Sequence, residues 1–157
     1  MSDVAFSSDR MDWATPWSLF QCLHAEFGFT LDAAASAHNA KCAAFLTEEQ
    51  NSLDADWLEL SAGGRVWLNP PYGRSIGDWI FKCAHEAKRG TRIVALVFAR
   101  TDTQWWNTWA TEADEIRFLR GRVTFEGASN AAPAPSCLLI FDPAYHRPTM
   151  SSMETPR

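Results

Sequence analysis

Hydrophobic positions along the chain switch repeatedly between helical and strand spacing, which predicts a mixed α/β fold. The clearest helix is expected over 76–90, where apolar residues recur at helical spacing after a start signal at Ser75. An earlier helix is expected from Thr15-Pro16, with Thr15 as its N-cap, to Gly28, which stops it. A third helical stretch is expected over 102–112.

Apolar runs between these helices predict strands. The run 92–99 is nearly continuous, as expected of a parallel strand that is covered on both faces. Thr47 and Gln50 form a capping box that predicts a short helix in the fifties. Shorter apolar runs predict strands at 29–32, 43–46, 65–68, 116–119, 123–125 and 137–141.

Alternating helices and strands predict one sheet with helices on both faces, an α/β three-layer sandwich. The sheet is expected to be mostly parallel with a closing antiparallel pair, because the last strands are joined without a helix. We expect a single domain over 1–157, with its core at about 10–142. The first ten or so residues and a tail of about 143–157 lack periodicity and are expected to be flexible.

Composition narrows the class of protein. A chain of 157 residues with 46% hydrophobic residues can bury the core of a globular domain. No run approaches the roughly 18 apolar residues that span a bilayer, and the polar start lacks the features of a signal peptide. We therefore expect a cytoplasmic protein without a membrane partner. The four cysteines lie far apart without paired spacing, so neither a metal site nor a disulfide framework is indicated.

The formal charge of −5 weighs against a nucleic-acid partner, because binding to phosphates needs clustered Lys and Arg. Basic residues do cluster locally at Arg117, Arg120 and Arg122, with Arg100 nearby in sequence. Solvated charge on a pair of strands explains this cluster equally well. The charge pattern therefore leaves a nucleic-acid partner open.

Asn69-Pro70-Pro71-Tyr72 directly follows the apolar run 65–68 and carries the most informative chemistry in the chain. Neither proline can donate a backbone hydrogen bond, and their fixed φ angles hold the Pro70 carbonyl in place. Asn69 adds a second acceptor, and Tyr72 adds a flat ring for stacking. These groups suit an amino group attached to a planar ring. Such an amino group is a poor nucleophile, so catalysis would depend mainly on positioning and electrostatic preorganisation.

A second set of candidate residues, Asp32-Ala33-Ala34, also follows a predicted strand. Ligands of open α/β sheets bind outside the carboxyl ends of the strands. We therefore expect Asp32 and Asn69 to share one rim of the sheet.

Asn69 to Tyr72 resemble the catalytic motif of the S-adenosylmethionine-dependent amino-methyltransferases. Over about residues 10–142, the order of motifs is similar to that of the phage-type DNA N-6-adenine methyltransferase (Dam) family. The resemblance implies transfer of a methyl group from S-adenosylmethionine to adenine flipped out of DNA, in a bacterial or phage-infected cell. The motifs are Asp12-Trp13-Ala14-Thr15-Pro16, Leu31-Asp32-Ala33-Ala34-Ala35-Ser36, Thr47-Glu48-Glu49, Asn69-Pro70-Pro71-Tyr72-Gly73, Ala99-Arg100-Thr101-Asp102-Thr103 and Arg120-Gly121-Arg122-Val123-Thr124-Phe125.

The resemblance also implies roles for individual residues. The catalytic motif is Asn69, Pro70, Pro71 and Tyr72, of which the first, second and fourth would bind the adenine. The glycine-rich first loop of the wider superfamily is replaced here by alanines and Ser36. Implied cofactor contacts are Trp13, Thr15, Pro16, Asp32, Ala33, Ala34, Glu48, Glu49, Asp56 and Asn69.

Several of these residue types also have ordinary structural roles at such positions. Glu48 or Glu49 is implied at the cofactor ribose, but the start of a capping-box helix accounts for both. Asp56 fits a solvated helix face equally well. Implied substrate contacts are Arg100, Asp102, Arg122 and Phe125, although a helix N-cap at Asp102 or Thr103 and a core position for Phe125 fit as well.

Two other functions remain open from the sequence. Similar Asn-Pro-Pro-Tyr sites methylate protein glutamine amides or bases in RNA, and the acidic chain shows no separate target-recognition domain. A non-catalytic module that binds cofactor or nucleic acid is the second alternative. The intact motif at Asn69 favours an enzyme, and the Thr-Pro, Arg-Thr-Asp-Thr and Arg-Gly-Arg runs favour adenine in DNA.

Overall fold

The computed structural model describes residues 13–146 and 150–156. Within them the chain forms a mixed α/β structure around one seven-stranded sheet. Four helices flank the strands, and short 3₁₀ turns lie at Glu48–Gln50, Ala110–Glu112 and Pro143–Tyr145. The helices are α1 (Trp17–Phe27), α2 (Trp57–Leu60), α3 (Ile76–Lys88) and α4 (Gln104–Thr108). The strands are β1 (Phe29–Asp32), β2 (Ala44–Phe45), β3 (Arg65–Leu68), β4 (Arg92–Phe98), β5 (Glu115–Arg120), β6 (Ser136–Phe141) and β7 (Met150–Glu154).

The strand order across the sheet is β2-β1-β3-β4-β6-β5-β7. The pairs from β2 to β4 are parallel, β6 runs antiparallel to both β4 and β5, and β7 is parallel to β5. The expectation of a mostly parallel sheet with a late antiparallel pair is confirmed. This topology brings the carboxyl ends of β1, β3 and β4 to the same rim.

Strand β4 is buried along nearly its whole length because its side chains alternate between two hydrophobic clusters. Ile93 packs in one cluster with Ile80 of α3. Val94 packs in the other cluster with Leu23 of α1. Since successive strand residues point to opposite faces, α1 and α3 cover opposite sides of this strand. The continuous apolar run predicted for a doubly covered strand is therefore confirmed.

Helix α1 begins one position later than predicted, and the assignment of Thr15 as its N-cap was wrong. Pro16 occupies the N-cap position, and no side chain caps the helix. The helix ends as predicted at Gly28, whose φ of 65° is left-handed and whose N–H donates to the His24 carbonyl over 2.8 Å. Thr15 therefore lies just outside the helix and does not cap it.

Two elements predicted in the second half of the chain take other forms. No strand forms at 123–125. Val123 and Phe125 are buried in the cluster with α1, but they do not pair with a strand of the sheet, so their apolar character reflects burial alone. The segment retains one isolated bridge, between Glu126 and Ala14. The predicted helix over 102–112 divides into α4 and a 3₁₀ turn.

The segment after Asp142, which was expected to be flexible, contains regular elements. Strand β7 extends the sheet by pairing with β5, and its residues are mostly exposed. Its polar sequence has no buried face, so hydrophobic alternation does not reveal it. The prediction for the first ten residues, and Asp12 of the first motif, lie outside the described residues. In the described part of the chain, no helix combines the length and apolar character needed to cross a membrane.

Candidate active site

A cleft of about 880 Å³ lies at the carboxyl ends of β1, β2 and β3. This volume is typical of sites that bind small molecules and cofactors. The cleft walls come from residues 13–15 before α1, residues 32–37 after β1, residues 46–49 after β2 and the Asn69 segment after β3. The expectation that Asp32 and Asn69 share one rim is confirmed.

Backbone hydrogen bonds continue past the ends of the strands and hold these walls together. The Ala33 N–H donates to the Trp67 carbonyl over 3.0 Å, which ties the loop after β1 to β3. The Leu46 N–H donates to the Asp32 carbonyl over 2.9 Å, which ties β2 to β1. The rim of the cleft is therefore built on the rigid part of the sheet.

Asp32 is a buried carboxylate in the wall of the cleft, only 3% exposed. Its two oxygens accept backbone N–H groups of Lys41 over 2.9 Å and of Ala34 over 3.3 Å. Burial raises the pKa of Asp32 to about 6, although these hydrogen bonds and the Lys41 charge lower it. Asp32 is mostly ionised at neutral pH, and a cationic ligand group beside it would relieve the cost of that buried charge.

Thr15 contributes a polar atom to the same cleft. The residue is 1% exposed, and its Oγ1 atom has no hydrogen-bond partner among the described residues. A buried hydroxyl that is left unpaired costs free energy, so such groups usually meet a partner. A polar ligand in the cleft would supply that partner.

The Asn69 carboxamide is fixed at both ends. Its Nδ2 donates to the Trp13 carbonyl over 2.6 Å, and its Oδ1 accepts the Tyr72 hydroxyl over 3.0 Å. The Tyr72 hydroxyl also lies 3.1 Å from the Leu96 carbonyl. No group in the part of the chain that the structure describes donates to the Pro70 carbonyl. The Pro70 oxygen and the second lone pair of Asn69 Oδ1 therefore keep acceptor capacity that no described residue uses.

Aromatic rings surround the Tyr72 side chain. Its ring stacks on Phe98 with a centroid distance of 4.4 Å and an interplanar angle of 16°. Phe125 meets Tyr72 edge-on at 5.9 Å and is 2% exposed. Burial raises the pKa of Tyr72 far above its ordinary value, so its hydroxyl remains a neutral donor.

Of the three remaining substrate candidates, one contacts this aromatic group. The Arg100 guanidinium lies 5.6 Å from the centroid of the Phe98 ring. Arg122 donates from Nη1 to the Ala132 carbonyl over 3.1 Å. Asp102 is exposed in the turn before α4, whose N-cap is Thr103.

Comparison with known proteins adds the identity of the family. The sequence model of a family described as DNA N-6-adenine-methyltransferase (Dam) matches residues 4–155. The chain belongs to this family. A DNA N-6-adenine-methyltransferase of Haemophilus phage HP1 (strain HP1c1) is 31% identical over 144 residues, which are 87% of this chain and 81% of the relative. A DNA N-6-adenine-methyltransferase of Escherichia phage T1 is 32% identical over 113 residues, which are 71% of this chain and 46% of the relative.

The structure brings most of the predicted cofactor contacts of this Dam-family chain to the cleft. Two catalytic-motif residues, Asn69 and Pro71, line it directly, whereas the Tyr72 ring lies in the adjoining aromatic group. Pro70 and Pro16 do not line the cleft. The predicted contacts that do line it are Trp13, Thr15, Asp32, Ala33, Ala34, Glu48, Glu49 and Asn69.

Asp56 does not belong to this group, and its assignment as a cofactor contact is not supported by its position. Its Oδ1 accepts the Glu59 N–H at the start of α2, and its Oδ2 pairs with Arg89 over 2.7 Å. The Arg89 guanidinium lowers the pKa of Asp56 below its ordinary value. Asp56 therefore caps a short helix beside solvent, away from the cleft.

Among the cleft residues that were not predicted from the sequence are Trp79 and Lys41. Trp79 lines the cleft from α3, where its helical spacing marks it as an ordinary core position. The Lys41 side chain is 3% exposed, with Nζ 3.9 Å from the centroid of the Trp17 ring and 3.5 Å from Glu126. Neither residue lies in a recognisable motif. Within 13–146 and 150–156, no three His, Cys, Asp or Glu side chains are grouped to hold a metal ion.

Proposed function

We propose that this chain transfers the methyl group of S-adenosylmethionine to the N-6 amino group of adenine in DNA. The observation that carries the proposal is the pair of available acceptors, Asn69 Oδ1 and the Pro70 carbonyl, next to the Tyr72 ring and the cleft. Membership in the DNA N-6-adenine-methyltransferase family supports adenine in DNA as the acceptor.

The cleft supports S-adenosylmethionine as the methyl donor. When bound, this cofactor supplies a methyl group on a positively charged sulfur, which a neutral amino nitrogen can attack. Asp32 would stabilise a cationic group of the cofactor, and the unpaired Thr15 hydroxyl would bond to its polar end. Glu48 and Glu49 both follow β2 and line the cleft, where either carboxylate can accept hydrogen bonds from the ribose. Ala33 and Ala34 line the same wall with small side chains, which permits close approach to the backbone.

The two acceptors would hold the amino group of the base. Each can accept one N–H of adenine, which orients the nitrogen lone pair without a strong base. One face of the Tyr72 ring is covered by Phe98, so the adenine would stack on its other face. Because the Tyr72 hydroxyl stays neutral, it holds Asn69 and takes up no proton. As the N–C bond forms and the S–C bond breaks, S-adenosylhomocysteine would leave, and the extra proton on the methylated nitrogen would pass to water. The rate enhancement would come mainly from positioning.

Unpaired positive charge near the motif supports a DNA substrate. Arg74 and Arg100 are exposed, and neither forms an ion pair with another described residue. Arg120, in contrast, pairs with Glu154 over 2.7 Å. We propose Arg74, Arg100 and Arg122 as phosphate contacts, because guanidinium groups without a carboxylate partner are suited to that role.

Two further contacts would complete the substrate site. Phe125, which is buried, would support the Tyr72 ring edge-on while the base stacks on Tyr72. Asp102 is exposed in the turn after Arg100, where its carboxylate can accept an amino group of a neighbouring base.

We also propose that the chain is a single domain with a Rossmann-like three-layer sandwich fold. Support comes from the two hydrophobic clusters that place α1 and α3 on opposite sides of β4. The family match over 4–155 supports one unit. A DNA substrate and phage relatives favour the cytoplasm of a bacterial or phage-infected cell as its location.

The experiment is methyl transfer from labelled S-adenosylmethionine to DNA, RNA and protein in parallel. Label should enter adenine-containing DNA, and Asn69→Ala should abolish transfer while leaving calorimetric binding of S-adenosylhomocysteine measurable. Label found in RNA or protein but absent from DNA would refute the proposed acceptor. Equal transfer by wild type and Asn69→Ala would refute the proposed site.

A further inference from the structure

The Asn69 carboxamide lies between two groups with opposite hydrogen-bonding requirements. The Trp13 carbonyl can only accept, and it lies 2.6 Å from Asn69 Nδ2. The Tyr72 hydroxyl can donate, and it lies 3.0 Å from Asn69 Oδ1. The single hydroxyl hydrogen of Tyr72 also has the Leu96 carbonyl as an acceptor at 3.1 Å, so it is the Trp13 carbonyl that selects the orientation with Nδ2 facing it. The reversed orientation would set two oxygens against each other at the Trp13 carbonyl.

The segment that carries the Trp13 carbonyl is tied to other parts of the chain by the residues that follow it. The next residue, Ala14, accepts the Glu126 N–H over 2.9 Å in the isolated bridge. The Glu126 carboxylate lies 3.5 Å from Lys41 Nζ, and that ammonium group lies over the Trp17 ring at the start of α1. The carbonyl therefore has little freedom to turn away from residue 69.

We infer that the Trp13 backbone carbonyl positions the Asn69 side chain and makes an amide, rather than a carboxylate, the working group at this site. The inference rests on the proposed function of Asn69 as an acceptor for the adenine amino group. An ionised Asp has the same shape as Asn but no N–H, so one of its oxygens would face the Trp13 carbonyl without a hydrogen atom between them. Repulsion would then turn the side chain away from the adenine.

This arrangement predicts a specific behaviour for Asn69→Asp. A protonated Asp carries one O–H donor and one carbonyl acceptor, which is the pattern that Trp13 and Tyr72 require. The acid form should therefore restore the wild-type arrangement, whereas the ionised form should not. A role of Asn69 that depended only on its size would not change with pH.

Several titratable groups surround this position. The neutral Tyr72 hydroxyl contacts residue 69, and Asp32, Lys41, Glu48 and Glu49 line the same cleft. Asp32 itself has a pKa of about 6 and titrates within the range of the assay. Each variant is therefore expressed as a ratio to the wild type at the same pH, so that titration of these shared groups cancels.

The test measures kcat/KM for DNA adenine methylation by wild type, Asn69→Asp and Asn69→Ala between about pH 5.5 and 8.5, a range that brackets a carboxyl of raised pKa. The ratio for Asn69→Asp should be lowest at high pH and rise about tenfold for each pH unit of acidification while the carboxyl is mostly ionised. The ratio for Asn69→Ala should stay low at every pH. A flat ratio for Asn69→Asp, or wild-type activity of that variant at high pH, would overturn the inference.

A measurement on the wild-type protein keeps the inference testable if Asn69→Asp does not fold. The Asn69 side-chain NH₂ signal, assigned by through-bond NMR, should exchange slowly with water because its N–H is bonded to the Trp13 carbonyl. Exchange as fast as that of an exposed Asn would contradict the inferred hydrogen bond to the Trp13 carbonyl. If the proposed function itself is wrong, the result differs from failure of this inference: the wild type would leave DNA adenine unmethylated at every pH.

Discussion

The buried Asp32 carboxylate should lower the stability of the ligand-free protein at neutral pH, and the effect should depend on pH. Asp32 is only 3% exposed and keeps two backbone N–H partners. Burial nevertheless raises its pKa from the ordinary 3.8 to about 6. Replacing it by Asn, which does not ionise, removes this pH-dependent cost.

The sign follows from where the protons bind. Between pH 3.8 and about 6, the folded state holds the Asp32 proton more tightly than the unfolded state does. The contribution of Asp32 to stability is therefore most favourable below its unfolded pKa, falls as the pH rises to about 6 and then stays constant. The full loss in the free energy of unfolding caused by ionising Asp32 is about 3 kcal/mol, of which about 1.4 kcal/mol should appear between about pH 5 and 7.5.

The assay is urea unfolding of wild type and Asp32→Asn without cofactor at several pH values. The stability of the wild type minus that of the variant should fall by about 1.4 kcal/mol over this range, since the other carboxylates titrate in both proteins. Asp32→Ala serves as the control: it also loses the hydrogen bonds, yet its difference from wild type should have the same pH slope. A difference that stays constant with pH, or one that grows in favour of the wild type, would refute the reasoning.

Three further predictions concern other parts of the structure. Glu86 is fully buried and accepts a hydrogen bond from Lys82 Nζ over 2.6 Å. Glu86→Gln leaves the Lys82 charge without its partner and should lower the free energy of unfolding, measured in urea, by about 3 kcal/mol. A loss below about 1 kcal/mol would contradict this. Arg74→Gln should lower the slope of log affinity for duplex DNA against log salt by about 0.9. Arg120→Gln should change this slope much less, because the Arg120 charge is already paired with Glu154. Equal changes in the two variants would argue against Arg74 as a phosphate contact. Tyr72→Phe removes the hydroxyl that donates to Asn69 and should lower kcat/KM by about threefold to tenfold. The control is Tyr145→Phe, at a ring that packs on Phe27, and it should leave activity unchanged. Equal losses in the two variants would refute a local role for the Tyr72 hydroxyl.

The elements that were predictable from sequence are those in which burial produces a periodic pattern. Strand β4 is covered on both faces, and α3 buries one face, so both appear as runs or repeats of apolar residues. Strand β7 has no buried face, and Val123 is buried without strand pairing. The same rule that finds the first two elements therefore misses β7 and predicts a strand at Val123 that does not form.

The candidate site divides in a similar way. The Asn69 motif and Asp32 were found because their residue types indicate a chemistry at a strand end. Thr15 was interpreted as a helix cap from its residue type and as a cofactor contact from the family resemblance. That it caps no helix and that its hydroxyl is unpaired become visible only in the structure. Lys41 lines the cleft and pairs with Glu126, which is far away in sequence, so no local pattern records this position.

Net charge was a weak guide to the substrate. The chain carries a charge of −5, and many of its charges of both signs are held in ion pairs such as that between Arg117 and Glu26. What matters for DNA is the charge left unpaired near the motif, at Arg74 and Arg100, and this becomes visible only when the pairs are known.

Nucleoside analysis of duplex DNA, after incubation with the protein and labelled S-adenosylmethionine, tests the proposed chemistry at the reacting atom. Mass spectrometry should find the label in N-6-methyladenine, with no transfer by Asn69→Ala and none to DNA in which purine replaces adenine and the amino group is missing. Label in methylated cytosine, in RNA or in the protein itself, with no N-6-methyladenine, would contradict the conclusion that the Asn69 and Pro70 acceptors hold the amino group of adenine.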